Sequence, residues 1–261
     1  MTHARSGYSD LTAEVYCLSN PVDGTYRDVA YHVEFLRGLA GRALELGCGN
    51  GRILIPVLRA DVEIDGLDHS PAMLAACRAR AAQEGFAPQL IAADMADFGV
   101  EQPYDVIVAA AGVLKELAGR DAALRSLRCC YSALKPGGRL VVDLVPQRCN
   151  SLASAAERPT EPAPLRYWRR GDLLWTVETV LLDYDSSTDR TVALRRYEKW
   201  CEGRLVRTEL HEFCLQHWSL DAFGGLLVDA GFVVDDVVAD YKSGSQPGPG
   251  NRDWTFHVYR P

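Results

Sequence analysis

Three glycines at alternate positions, Gly47, Gly49 and Gly51, follow a short apolar run, Ala43-Leu44-Glu45-Leu46, and lead into the apolar Ile53-Leu54. The pattern reads as a buried strand, a tight turn and the start of a helix. Glycine belongs where the backbone must turn sharply and a ligand must lie against the main chain, because a Cβ would collide there. Such a turn also aims free backbone N–H groups into the crevice beside it. The chemistry on offer is therefore recognition of a nucleotide-type ligand. Two acids further along suit the same ligand: Asp68 can accept both ribose hydroxyls, and Asp94 can accept from an adenine amine. Either aspartate alone reads as a helix cap or a solvated loop residue. Two of them at consecutive strand ends after a glycine turn are harder to dismiss.

The glycine spacing discriminates between nucleotides. A dinucleotide fingerprint requires G-x-G-x-x-G, but here the run is G-x-G-x-G, with Arg52 where the last glycine would stand. No lysine followed by Ser or Thr closes the turn, so a P-loop is excluded. A nicotinamide-dependent oxidoreductase would share the first strand and the ribose acid, yet it does not predict Asp94-Met95 or the later Lys135-Pro136-Gly137-Gly138.

These residues need a sheet to hold them. From 43 to 145 strands and helices alternate, which predicts a mostly parallel sheet. Val62 to Leu67 reads as the second strand, running to Asp68, and Ser70 caps a helix with Pro71 at its first position. Leu90 to Ala93 is the third strand, Asp105 to Ala110 the fourth, and Asp121 to Leu134 a helix with Leu124, Leu127, Tyr131 and Leu134 on one face. Lys135 to Gly138 turns the chain into a fifth strand, Arg139 to Leu144. Ligands of such sheets bind at the carboxyl ends of the strands. That rule gathers Gly47 to Gly51, Asp68, Asp94-Met95 and Ala110 to Glu116 around one crevice.

Elements flank this core on both sides. Before it, Tyr8, Tyr16 and Tyr26 punctuate a polar leader, and Asp28 to Leu39 has the helical period. After it, Pro146 to Pro164 is rich in Ser, Ala and Pro and reads as an irregular connection or short helix. Leu173 to Tyr184, Thr191 to Trp200 and Leu205 to Trp218 are dense in β-branched and aromatic residues with short polar links, a three-stranded meander that Leu165 to Arg169 would extend to four. Ser219 caps a helix that Gly231 ends, and Phe232 to Val238 pairs with Trp254 to Tyr259 across the Gly/Pro-rich loop 243–250. The expected architecture is α/β: a Rossmann-like, doubly wound, seven-stranded sheet with an N-terminal helical cover and an antiparallel β insertion before the last helix. Its divisions are 1–42 for the cover, 43–145 for the cofactor-binding core, 146–218 for the insertion, and 219–261 for the last helix and strands.

Composition narrows the partners. At 48% hydrophobic and 24% charged residues over 261 positions, the chain reads as an ordinary globular protein. A net charge of −7 without a Lys/Arg cluster argues against nucleic acid and acidic membrane. No apolar run reaches the length of a membrane span, and the polar stretch Met1 to Asp10 does not read as a signal peptide. Eight cysteines, none in a C-x-x-C pair and most within apolar stretches, read as buried reduced thiols of a cytoplasmic protein. His69, His211 and His217 have no metal-ligand spacing, so no metal is expected.

The run E-L-G-C-G-N-G at Glu45 to Gly51 resembles motif I of class I S-adenosylmethionine-dependent methyltransferases. Gly66-Leu67-Asp68-His69-Ser70-Pro71-Ala72-Met73-Leu74, Ala93-Asp94-Met95, Tyr104-Asp105-Val106-Ile107 and Leu134-Lys135-Pro136-Gly137-Gly138 are similar to the motifs that follow it, in order, over about residues 26–145. The resemblance implies that S-adenosylmethionine binds, and S-adenosylhomocysteine leaves, at Tyr26, Glu45, Gly47, Cys48, Gly49, Asn50, Gly51, Asp68, His69, Met73, Asp94, Met95 and the backbone near Ala110. Glu45 and the glycine turn would serve the methionine part and Asp68 the ribose. Met73 would pack on adenine, Asp94 with Met95 would read its edge, and the backbone near Ala110 would hold the methionine amino group.

The helical cover and antiparallel insertion resemble those of bacterial N-methyltransferases of small amines, including the dimethylating enzymes of amino-sugar biosynthesis in antibiotic pathways. Tyr8 and Tyr16 have the spacing of the tyrosines in those enzymes, and Tyr26-Arg27 falls where they have a Tyr-Arg pair. They carry a histidine after the fourth strand, and an ungapped count to Leu117-Ala118-Gly119 puts Glu116 there instead. The expectation is methyl transfer to an amine of a small natural-product intermediate, with Tyr16, Glu116 and Tyr8 at the reacting centre. The alternatives are an O-methyltransferase with an unassigned base and a regulatory protein that kept only the cofactor site. Homo-oligomerisation is left open, with the insertion on the substrate side or at an oligomer contact.

Overall fold

The computed structural model describes residues 8–145, 165–248 and 250–261, so the connection read over 146–164 lies outside the described residues. Seven strands form the main sheet: β1 (Ala43–Leu46), β2 (Ile64–Asp68), β3 (Leu90–Ala92), β4 (Tyr104–Ala109), β5 (Leu134–Leu144), β10 (Val233–Ala239) and β11 (Trp254–Tyr259). Their order is β10-β11-β5-β4-β1-β2-β3. The pairs among β1 to β5 are all parallel, and β11 runs antiparallel to both β5 and β10. Strand order reverses between β1 and β4, which opens the crevice at the carboxyl ends where a ligand can enter.

Every residue of β1 and of β2 is buried, because helices cover both faces of a parallel sheet. Leu44, Leu46, Ile107 and Ala109 face one core with α5 (Gly119–Ala133) and α6 (Leu220–Asp229). Ala43, Val106 and Val108 face the other with α2 (Arg27–Arg37), α3 (Leu54–Arg59) and α4 (Pro71–Gln83). Ser70 caps α4, its Oγ accepting from the Met73 N–H at 3.2 Å, and Ser219 caps α6 in the same way through Ala222. No helix among the described residues is long and apolar enough to cross a membrane.

Two sequence expectations change. Lys135 to Gly138, expected as a turn before the fifth strand, lies within β5: Tyr104 pairs Leu134 and Val106 pairs Arg139, so the intervening residues loop out as a bulge. Gly137, at φ +76°, donates from that bulge to the Arg260 carbonyl at 2.8 Å. The leader also holds a helix that was not foreseen, α1 (Asp10–Ser19). Leu11 and Val15 on its inner face bury against Trp175, Val177 and Tyr197 of the insertion, so tertiary packing makes this polar-looking segment a helix. The insertion is a separate antiparallel sheet, β6 (Arg166–Arg170), β7 (Leu173–Asp185), β8 (Arg190–Cys201) and β9 (Arg204–Gln216), in that order.

Candidate functional site

The turn between β1 and α3 has the conformation its glycines permit. Gly47, Gly49 and Gly51 all have positive φ, at +70°, +53° and +82°. A Cβ on Gly51 would stand 2.8 Å from the Cys77 Sγ, and one on Gly47 would collide with Val113, whereas Gly49 faces open space. The Gly47 and Cys48 N–H groups donate to the Leu67 carbonyl, which pins the turn to the end of β2. Asp68 sits at that end and joins two elements: its Oδ2 accepts from the Gly49 N–H at 2.9 Å and its Oδ1 from the Ser70 N–H at 2.8 Å. Each oxygen keeps a second acceptor position, so the carboxylate is oriented without being used up. Asp94 is held likewise, its Oδ1 accepting from the Ala96 N–H at 2.8 Å.

Glu45 is buried within this frame, and its Oε2 has no hydrogen-bond partner. Burial raises its pKa well above the ordinary carboxylate range. Arg52 lies close by and connects the turn to the leader. It makes a two-pronged ion pair with Asp28 at 2.6 and 3.0 Å, places its guanidinium 4.8 Å over the Tyr26 ring, and donates to Tyr16. Asn50 also turns to the leader, donating to the Asn20 carbonyl at 3.0 Å. Cys48 packs under Gly66, and Met73 is buried in the first turn of α4.

A cavity of about 770 Å³ opens over the strand ends. His69, Asp94, Met95 and Ala111 line it from the core, Tyr8 and Tyr16 from the leader, and Glu116 and Leu117 from the segment after β4. Arg195, His211 and Phe213 line it from the insertion. The sequence-derived candidates thus divide: Tyr8, Tyr16, Glu116, His69, Asp94 and Met95 share the cavity, whereas Tyr26, Glu45, the turn Gly47 to Gly51, Asp68, Met73 and Ala110 lie outside its lining.

Glu116 ends a single 3-10 turn, Val113–Glu116, that follows Ala111 and Gly112, both in the left-handed region. Its side chain is open to the cavity, but the walls crowd it enough that desolvation raises its pKa. The negative Asp68 raises it further, while Arg195 and a hydrogen bond from Tyr8 lower it. The Tyr8 phenol is itself pushed well up by burial and by Glu116, so it stays protonated and donates. The Tyr8 ring meets Tyr16 edge-on at 5.7 Å and His211 at 5.6 Å. Arg195 stacks over Phe213 at 4.3 Å.

Sequence reasoning did not single out Arg52, Arg195 or His211 for this site. For Arg195 a signal was present: it shares a strand face with the buried Ala193 and Tyr197, where a charge needs a reason. His211 pairs with it in register across β8 and β9, which only the fold reveals.

The residues fit the implied cofactor. The orphaned Glu45 oxygen, the open face of Gly49 and the two oriented aspartates are what an adenosyl and amino-acid ligand would engage. Among the described residues no cluster could hold a metal ion.

Comparison with known proteins agrees. Residues 44–140 match the family described as "Methyltransferase domain". Trans-aconitate 2-methyltransferase of Methylobacterium radiotolerans is 40% identical over 104 residues, 39% of this chain and 37% of that one. Among solved structures, the CcbJ methyltransferase from Streptomyces caelestis superposes with a TM-score of 0.75 at 23% identity, covering 99% of each chain. The sugar N-methyltransferase KedS8 from a Streptoalloteichus species gives 0.71 at 20% identity, covering 100% of this chain and 99% of that one. This chain thus carries a methyltransferase domain over 44–140, set within a fold it shares with S-adenosylmethionine-dependent methyltransferases of known structure.

Proposed function

We propose that the protein methylates an amine nitrogen of a small natural-product intermediate, amino-sugar or amino-acid-derived, held between the leader tyrosines, the Glu116 segment and the β insertion. The observation that carries this reading is the Glu116 carboxyl, held by Tyr8 and open to the cavity that spans the core and the insertion. When bound, S-adenosylmethionine supplies an electrophilic methyl group on a sulfonium. The acceptor lone pair forms the new N–C bond as the S–C electron pair returns to sulfur, giving S-adenosylhomocysteine. An amine arrives mostly protonated at neutral pH, and only its neutral form can attack. A carboxylate at the cavity wall favours the incoming cation, and its raised pKa makes it a better acceptor of the proton that must leave. Much of the acceleration then comes from alignment and exclusion of water. Tyr8 and Tyr16 line the path of a cationic methyl group, at a gain of about 1 kcal/mol per face.

The likeness to a sugar N-methyltransferase supports nitrogen as the acceptor. A second reading, transfer to oxygen, is favoured by the trans-aconitate relative, whose name describes no amine. A transfer assay with methyl-labelled S-adenosylmethionine and matched pairs of small amines and alcohols separates the two. Labelling of the amines, with lower turnover or higher KM in Glu116→Gln at unchanged cofactor affinity, is the expected result. Preferential labelling of the alcohols, or wild-type amine kinetics in Glu116→Gln, would overturn the assignment.

A further inference from the structure

The carboxylate of Asp143, at the carboxyl end of β5, is buried and takes four donors from four different segments. Its Oδ1 accepts from the Thr255 hydroxyl of β11 at 2.8 Å. Its Oδ2 accepts from the Tyr241 hydroxyl at 3.1 Å, stands 2.9 Å from the Nε2 of the buried His32 in α2, and accepts from the Ala111 N–H at 2.9 Å. Burial pushes the Asp143 carboxyl up, but its contacts with His32, Ala111 and Thr255 outweigh this and hold it below the ordinary range. Asp143 therefore presents a fixed, charged acceptor to a loop in which Ala111 is exposed between the buried Ala110 and Gly112.

Ala111 has φ +54°, a left-handed conformation that a residue with a Cβ adopts only when its surroundings impose it. Gly112 continues the turn at φ +68°, and Ala111 itself lines the cavity. The N–H bond to Asp143 is the contact that overdetermines this turn. We propose that Asp143 is a positioning residue for the cofactor: held by His32, Tyr241 and Thr255, it presets the Ala110–Gly112 turn so that the main chain there is already shaped to receive the methionine end. The proposal rests on the reading that this backbone faces the methionine amino group.

Asp143→Asn keeps one carbonyl oxygen and replaces the other acceptor with an NH₂ donor, so either Ala111 or the Thr255 side loses its partner. Ala111→Gly removes the conformational penalty that the bond offsets. Calorimetric binding of S-adenosylhomocysteine is the readout, with urea unfolding of the apo proteins beside it. Asp143→Asn is expected to weaken binding at least tenfold in the wild-type chain, and far less when introduced into Ala111→Gly. Thr255→Val, which removes only the donor on the far oxygen, is expected to lower stability without that loss of affinity. Amide hydrogen exchange in the wild-type apo protein gives a test that needs no variant: the Ala111 N–H should be protected although its residue is exposed. An unprotected Ala111 amide, a folded Asp143→Asn that binds as wild type, or a loss as large in Ala111→Gly as in the wild-type chain would each overturn the proposal. Failure of the wild type to bind S-adenosylhomocysteine would instead sink the cofactor reading on which it rests.

Discussion

Asp68 is oriented by two backbone donors while keeping acceptor capacity on both oxygens. A ribose would add two charge-assisted bonds there, so Asp68→Ala should weaken S-adenosylhomocysteine binding by roughly 2–3 kcal/mol, about 30- to 150-fold, with the fold intact. Equal affinity in calorimetry would reduce Asp68 to a turn-stabilising residue. Glu45 raises a different issue, because the free protein bears its burial and its unpartnered oxygen. Its folded pKa is raised, so the native chain holds a proton that the unfolded chain releases. The sign follows: this proton linkage stabilises the fold at acid pH and is lost as pH rises through the folded value. Glu45→Gln should make the apo protein more stable than wild type by ~1–3 kcal/mol at about pH 8, with the gap shrinking toward about pH 5, and should weaken cofactor binding. Urea unfolding at the two pH values checks it, and a gap that does not change with pH would refute the linkage.

At the scale of elements, two serine caps allow a controlled comparison. Ser70 and Ser219 each accept from a backbone N–H at the start of a helix, both at 3.2 Å. Removing either hydroxyl should cost about 1 kcal/mol in thermal or urea unfolding. Ser70 differs in also donating to the Tyr8 carbonyl at 2.8 Å, which ties the leader to α4 beside the cavity. Ser70→Ala should therefore lower methyl-transfer turnover several-fold, whereas Ser219→Ala should lose stability alone. Equal turnover in the two variants would show that Tyr8 does not depend on that tie.

Over the whole molecule, the cavity has walls from three regions of the chain, and the leader is joined to the insertion by its own small core. Leu11 and Val15 of α1 bury against Trp175, Val177 and Tyr197, flanked by the Lys199–Glu14 ion pair at 2.8 Å and a Ser9–Glu209 hydrogen bond. The main sheet, with Asp68, Asp94 and the glycine turn, does not share that core. Leu11→Ala should cost ~2–5 kcal/mol where α1 meets the insertion. It should raise the acceptor KM or lower turnover more than it changes S-adenosylhomocysteine affinity. In the same samples, S-adenosylhomocysteine at about 100 times its Kd should add roughly 2.7 kcal/mol of stability to the wild type. If Leu11→Ala lost cofactor affinity in proportion to turnover, the leader would belong to the cofactor site and the acceptor region would lie elsewhere.

Much of this was determined by the sequence alone, because it depends on neighbours along the chain. The glycine turn, the Ser70-Pro71 helix start, the acids at consecutive strand ends and the meander with its polar links each rest on a few adjacent residues, and the fold follows their order. Glu116 and the tyrosines could be named as candidates through resemblance to a known family, and the cavity they share needed the fold. Only tertiary structure decided that α1 is a helix, since its apolar face is defined by Trp175 and Tyr197, more than 150 positions away. The same holds for Asn50 turning to the leader, for Arg195 facing His211, and for Asp143 gathering donors from α2, β11 and two loops. A buried polar group is satisfied by whatever the fold brings within about 3 Å, and that distance is not written in the spacing of residues along the chain.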